Sequence, residues 1–269
     1  MEWTPEAKAA LQQVPFFVRK RVRARVEKEA TEAGKERVTL ADVKATQTRY
    51  LSGTHADIKG YQLDTCFGPS GCPNRAVVSD QLLARVETVI TAADLLSFLK
   101  SRVAGDLKFH HEFRVTLADC PNACSQPQIK DVGIIGAAVP ETTSETCSQC
   151  KACVDACPEQ AITLAAESRP PVIDTGRCLN CGQCIRACPT GTIAEAWRGF
   201  RVQLGGRLGR HPRLARELPG IFSEGQVIDI LQDCLKLFKE RSLHGERFAQ
   251  LFQDRDFEEF SRRFYGTAV

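Results

Sequence analysis

No stretch of this 269-residue sequence is apolar for the roughly 18 residues that a membrane span requires. Nor does it open with a basic segment followed by an apolar run, as a secretory leader would. Charge of one sign is equally scarce. Against 36 Lys and Arg stand 33 Asp and Glu, and a net +3 is too small to point to nucleic acid. These absences predict a soluble, cytoplasmic protein with no membrane span and no nucleic-acid partner. What is plentiful is cysteine, with 13 in the chain. In a reducing compartment a disulfide framework is disfavoured, so metal ligation is the first reading of so many thiols. A 43% apolar composition is enough for an ordinary packed core, in one large domain or two small ones.

Twelve of the thirteen cysteines fall into three sets of four. Two sets share the form C-x2-C-x2-C-x3-C-P: Cys147, Cys150, Cys153, Cys157 with Pro158, and Cys178, Cys181, Cys184, Cys188 with Pro189. The third joins Cys66 and Cys72 to the distant pair Cys120 and Cys124. Cys234 is left over. It shares an apolar helical stripe with Val227, Leu231, Leu235 and Phe238 and reads as a buried core thiol. A [4Fe–4S] cubane needs four thiolates around one compact, soft centre; three closely spaced cysteines on a tight loop supply three corners, and the fourth comes from elsewhere. Two-cluster ferredoxins exchange that fourth ligand between their motifs. The spacing therefore predicts Cys147, Cys150, Cys153 and Cys188 on one cluster, and Cys178, Cys181, Cys184 and Cys157 on the other. Zinc is the competing reading, since paired C-x2-C units bind it too. The third evenly spaced cysteine and the trailing proline, each given twice, weigh against zinc.

Residues 1–50 read as a small helical module. Thr4 offers an N-cap before a first-turn Pro5, Val18, Val22 and Val26 recur at helical spacing, Gly34 ends the run, and Thr39 caps a second helix from Leu40. The cations between Arg19 and Arg25 are either a solvated face or a dock for an acidic partner or cofactor carboxylates. From about Tyr61 the pattern mixes strands and helices. A turn cluster of Gly68, Pro69, Gly71 and Pro73 carries the first cysteine pair, and a helix follows through Leu82, Leu83, Val86, Val89 and Ile90. Starting just after Cys72, such a helix would aim its N-terminal dipole at a thiolate-bound cluster. Phe113 to Leu117 alternates with period two, placing Phe113, Val115 and Leu117 on one face and Glu112, Arg114 and Thr116 on the other, and runs into Cys120. Val132 to Val139 and Phe200 to Leu204 read as further strands. Between them lies the repeated cysteine segment, with short strands at Ile162–Leu164 and Pro171–Ile173. This predicts four regions: the module at 1–50, a larger domain at 51–140 and 193–269, and a small ferredoxin inserted at 141–192.

The stretches Cys66-Phe67-Gly68-Pro69-Ser70-Gly71-Cys72 and Asp119-Cys120-Pro121-Asn122-Ala123-Cys124-Ser125-Gln126-Pro127-Gln128, continuing into Asp131-Val132-Gly133, resemble the sirohaem-and-cluster motif of sulfite and nitrite reductases. Gly205-Gly206-Arg207-Leu208-Gly209-Arg210-His211-Pro212 is similar to that family's continuation after its inserted ferredoxin, as in the dissimilatory and small anaerobic types. The resemblance covers about residues 60 to 269. It implies an α+β fold and a cubane on Cys66, Cys72, Cys120 and Cys124, with Cys124 also the axial ligand of sirohaem iron. Sirohaem carries many carboxylates, for which Arg207 and Arg210 are candidate partners, unless they are ordinary surface arginines. The family usually sets two basic side chains at alternate positions of the strand before the third cysteine, facing the bound anion. Here those positions hold Glu112 and Arg114. A carboxylate there would repel sulfite. The opening residues, Trp3-Thr4-Pro5-Glu6-Ala7 and Val14-Pro15-Phe16-Phe17-Val18-Arg19, resemble the C-terminal helical module of light-independent protochlorophyllide reductase subunits.

The resemblance implies an oxidoreductase with three [4Fe–4S] clusters and sirohaem, reducing a small oxyanion such as sulfite. Arg114 would stabilise charge on oxygen, with a second cation from another chain or from Lys59. A low-potential electron donor protein is expected, with assembly as a homodimer or a heteromeric redox complex. The alternative is a three-cluster electron-transfer subunit, without sirohaem, that feeds a partner oxidoreductase. A weaker third reading, suggested by the N-terminal module, is a reductase of a tetrapyrrole or another bulky substrate.

Overall fold

The computed structural model describes residues 1–14, 16–47, 58–68, 71–164 and 170–265, with only the backbone given at 16–18. The chain divides into two compact units, Met1–Ile58 and Lys59–Val269. Val18, Pro69 and Ser70, named above, lie outside the described side chains.

The first unit is helical as expected. Thr4 caps α1 (Pro5–Gln12) by accepting a hydrogen bond from the Ala7 N–H at 3.4 Å, and Pro5 fills the first turn where no donor is needed. α2 (Phe16–Glu32) follows, and the chain turns at Gly34. A third helix, α3, is described over 40–47. At its start Thr39 stands as the N-cap, its carbonyl accepting from the Val43 N–H at 3.3 Å, and the Asp42 carboxylate reaches back to accept from the Thr39 N–H and hydroxyl. Two short strands, β1 (Glu2–Trp3) and β2 (Arg37–Val38), pair in parallel and close the unit. Trp3, Ala7, Val26, Ala30, Val38 and Val43 form its core. Much of the basic run is internally engaged: Arg19 donates to the carbonyls of Gln12 and Val14, while Arg23 pairs with Glu27 and Arg25 with Glu29.

The second unit is an α+β body built on a five-stranded sheet. Its strands are β3 (Tyr61–Thr65), β4 (Phe113–Ala118), β5 (Val132–Thr142), β8 (Ile193–Leu204) and β9 (Arg216–Glu217), hydrogen-bonded in that order. β3, β4 and β5 run parallel, and β8 and β9 are antiparallel to their neighbours. Parallel neighbours need long crossovers. Helices α4 (Asp80–Ala92) and α5 (Leu95–Arg102) supply the first. The second is the loop carrying Cys120 and Cys124.

Two expectations shift. Helix α4 starts at Asp80, not just after Cys72, because the N–H groups of Ala76 and Val77 are taken by the Asp119 carbonyl at 2.8 and 3.2 Å. A helix dipole at that thiol is therefore not formed. Strands β5 and β8 also run further than Val139 and Phe200, continuing as a paired ribbon to Thr142 and Ile193 past an irregularity at Val139/Pro140.

One face of the sheet is apolar, and α4, α5 and α8 (Glu224–Arg241) pack with it around a single core. Phe113 on β4 lies 5.3 Å, ring centre to ring centre, from both Phe238 of α8 and Phe248 of α9 (Phe248–Leu251). Phe252 continues the chain of rings to Phe260 of α10 (Asp254–Arg263). Cys234 is fully buried in this core, as the stripe predicted. Between β5 and β8 the chain forms α6 (Ala152–Asp155), the antiparallel pair β6 (Ile162–Thr163) and β7 (Val172–Ile173), and α7 (Gln183–Ala187).

Candidate functional site

The β4–β5 crossover folds back over the polar face of β4. Thr116 Oγ1 donates to the Ser125 carbonyl at 3.3 Å, and Ser125 Oγ donates to the Leu117 carbonyl at 3.0 Å. This sets Cys124 over the face that carries Arg114, two residues from Thr116. Ala123 and Gln126 adopt left-handed backbone conformations on either side of it, with φ of 52° and 58°. Cys124 is exposed, and the Asn122 side-chain amide donates to its sulfur at 3.0 Å. Cys66 accepts from the backbone N–H groups of Gly68 and Asp119 at 3.2 and 3.3 Å, which joins the first cysteine pair to the second. Burial pushes the Cys120 thiol up, and neighbouring Cys66, Cys124 and Cys72 push it further. All four members of the third set are thus gathered at one end of the parallel strands.

In the other two sets, cysteines of the two repeats lie beside one another. Burial raises the Cys153 thiol, and the thiols beside it that add to the rise are Cys188 and Cys147. Cys184 is pushed up to about 12 by burial and then by Cys178, Cys181 and Cys157. Cys157, Cys178, Cys181 and Cys184 also line one small cavity with Pro140 and Ile173. Backbone N–H groups point at several of these sulfurs: Gln149 at Cys147, Ala161 at Cys157, Asn180 at Cys178 and Ile193 at Cys188, at 3.3 to 3.4 Å. Such donors favour the thiolate over the thiol. Thiolates offered in fours with N–H donors around them suit a soft metal cluster.

Beside Arg114 lies a cationic patch that sequence reasoning missed. Arg114 Nη2 donates to the Phe109 carbonyl at 3.2 Å, Arg247 Nε donates to the His110 carbonyl at 3.1 Å, and Arg114 Nε is buried without a hydrogen-bond partner. Desolvation lowers the His110 pKa, and Arg247, Lys108 and Arg114 lower it further. The buried carboxylate here is Asp131, which accepts from the N–H groups of Arg114 and Ala249 at 2.9 and 3.2 Å. Arg207 is held by the carbonyls of His211 and Ala249, whereas Arg210 is exposed. No motif announces Arg247, because only the fold brings α9 to the start of β4.

Glu112 differs from its expected place. Its carboxylate is buried and accepts from the Lys59 N–H at 2.9 Å and the Gln62 side-chain amide at 2.8 Å, so it fastens β3 to β4 instead of meeting an anion. The Lys59 residue itself is exposed at this edge.

The family model described as the nitrite and sulphite reductase 4Fe-4S domain matches residues 69–267, well over half of the chain. The chain belongs to this family. A second family model, described as the proto-chlorophyllide reductase 57 kD subunit, matches residues 3–46. Among the relatives of this chain, the coenzyme F420-dependent sulfite reductase of Methanocaldococcus jannaschii is 34% identical over 58 residues, covering 22% of this chain and 9% of that protein. An anaerobic sulfite reductase subunit of Salmonella typhimurium is 26% identical over 131 residues, covering 48% of this chain and 33% of that one. These matches span a third or less of the relatives' own lengths. The crystal structure of dissimilatory sulfite reductase I has a TM-score of 0.49 at 14% identity, covering 77% of this chain and 52% of that one.

Proposed function

We propose that this chain is a sulfite-reductase-like redox enzyme, or the redox subunit of one, in which residues 1–50 are a separate helical module and residues 141–192 are an inserted two-cluster ferredoxin within a domain of residues 51–140 and 193–269. Its three cysteine sets hold three [4Fe–4S] clusters, and Cys124 also ligates sirohaem iron. The observation that carries the reading is the gathering of Cys66, Cys72, Cys120 and an exposed Cys124 at one end of the parallel strands, where the loop of Cys124 packs on the strand that carries Arg114. Sirohaem, when bound, supplies an iron centre for multi-electron reduction of a small oxyanion such as sulfite, fed one electron at a time from the ferredoxin. Arg114 supplies a cation to that anion, Arg247 stands beside it, and Lys59 is an exposed cation. Arg210 is free to meet a haem carboxylate; Arg207, already bonded to carbonyls, shapes the hairpin that presents it.

Cubanes are favoured over zinc by the third evenly spaced cysteine and the trailing proline in each of the two repeats. A low-potential electron donor protein would reduce the ferredoxin. A homodimer or heteromeric complex is proposed because one relative is by name a subunit. No helix among the described residues is long and apolar enough to cross a membrane. The test is a visible spectrum of anaerobically purified protein with iron counted per chain. Sirohaem bands with about thirteen irons support the reductase. Cluster absorbance alone, with about twelve, replaces it with an electron relay that serves a partner enzyme.

A further inference from the structure

The two ferredoxin cysteine sets are not equivalent in their surroundings, and the difference lies at α7. This short helix carries Cys184, and three of its neighbours tie it to the sheet body. Asn180 offers its carbonyl to the Ala138 N–H at 2.7 Å, and Cys181 makes a parallel bridge with Ala138. Gly182 presses on the same residue: a β-carbon on it would come within 2.9 Å of Ala138 Cβ. Ile185, next to Cys184, packs against both the core of the body and the small core of the cysteine segment. Arg186 Nη1 then reaches across to the Arg75 carbonyl at 3.3 Å. Arg75 is three residues beyond Cys72, with its own N–H on the Cys72 carbonyl at 3.4 Å.

Two residues before Ala138 on the same face of β5, Gly136 receives the loop of the third cysteine set. A β-carbon at Gly136 would lie 2.6 Å from the carbonyl oxygen of Asp119, the residue before Cys120, and 2.4 Å from Val77. Two strand residues span about 7 Å. One strand thus holds the loop of Cys120 and the loop of Cys181 side by side, and both positions are small because backbone occupies the space a larger side chain would need. In the other set Cys150 is exposed, whereas none of Cys157, Cys178, Cys181 and Cys184 is.

We propose that the two ferredoxin clusters have fixed and unequal places: the one on Cys157, Cys178, Cys181 and Cys184 is the inner relay, seated against the third set by Gly136, Ala138 and α7 with Arg186 as the positioning residue, and the one on Cys147, Cys150, Cys153 and Cys188 is the outer one, exposed to the donor. This rests on the cluster assignments above. Each electron lost by a low-potential one-electron donor reduces the outer cluster by one, and that cluster is reoxidised as the inner one is reduced.

The experiment is electron paramagnetic resonance of the fully reduced, iron-loaded protein, comparing Cys150→Ser, Cys181→Ser, Arg186→Gln and Arg186→Lys. Broadening from magnetic interaction with the third-set cluster should persist in Cys150→Ser and be lost in Cys181→Ser. Arg186→Gln should weaken it at unchanged iron content, and Arg186→Lys, which keeps a cationic donor, should restore it. Interaction that survives Cys181→Ser but vanishes in Cys150→Ser overturns the order. An Arg186→Gln spectrum identical to that of the parent removes Arg186 from the proposal. Iron for a single cluster in the unmodified protein would instead count against the three-cluster reading.

Discussion

The sheet body and the cysteine segment between β5 and β8 are held together by different physics. The body has a continuous apolar core running from α4 and α5 through the sheet to α8 and the phenylalanines of α9 and α10. The segment's buried apolar cluster is Cys153, Ile162, Cys184 and Ile193, half of it thiols. Its regular structure is two short helices and a two-residue pair of strands. Burial of apolar area alone can support the body. On the proposed reading, ligand chemistry supplies what the segment's core lacks, since binding a metal centre to an otherwise unsupported site is folding free energy. In one chain, then, stability is written twice, once in phenylalanine and leucine and once in cysteine.

Removing the iron is the harshest way to break this comparison. Anaerobic chelation should abolish hydrogen-exchange protection across α6, β6, β7 and α7 while α8 keeps most of its own. Equal loss in both regions would show that they fold as one unit. Next in size is Phe238→Ala. It removes a fully buried ring packed edge-on to Phe98 and beside Phe113, and should cost about 3–5 kcal/mol in denaturant melts of the body, with iron per folded chain unchanged.

A dependence on pH should also belong to the body. Burial raises the Asp131 carboxyl to about 6, partly offset by the N–H groups of Arg114 and Ala249. A raised pKa favours the fold when the group is protonated: its contribution is complete below the ordinary carboxylate range and is lost as pH rises through about 6. Between pH 4 and 7 this amounts to about 2 kcal/mol, most of the whole effect of a two-unit shift. Melts of Asp131→Asn across that range should show a flatter pH slope than the parent. The smallest effect expected is from Ser223→Ala. Ser223 and Gln226 cap α8 reciprocally, and losing the hydroxyl should cost about 1 kcal/mol without touching cluster content.

Much of the site was legible because its logic is local. The C-x2-C-x2-C loops, the period-two strand from Phe113 and the helical stripe holding Cys234 all stand in the sequence as spacings. What escaped was decided by contacts between distant segments. Arg247 joins Arg114 only because α9 closes over the start of β4. Glu112 reads as a misplaced charge until Lys59 and Gln62 are seen to take both its oxygens. The first part of β8 escaped for another reason. Four consecutive residues, Glu195, Ala196, Trp197 and Arg198, are all exposed, so no alternation of buried apolar and exposed polar residues marks the run, and pairing with β5 makes it a strand.

That paired ribbon has a practical meaning. Thr142 and Ile193 are partners in the β5–β8 ladder, so the cysteine segment leaves and rejoins the body at the same spot. Chain that departs and returns through adjacent residues can be lengthened, shortened or exchanged at little entropic cost, because closing a long loop costs only slightly more than closing a short one. The ribbon is in effect a socket, into which a different electron-carrying cassette could be spliced without redrawing the sheet beneath it.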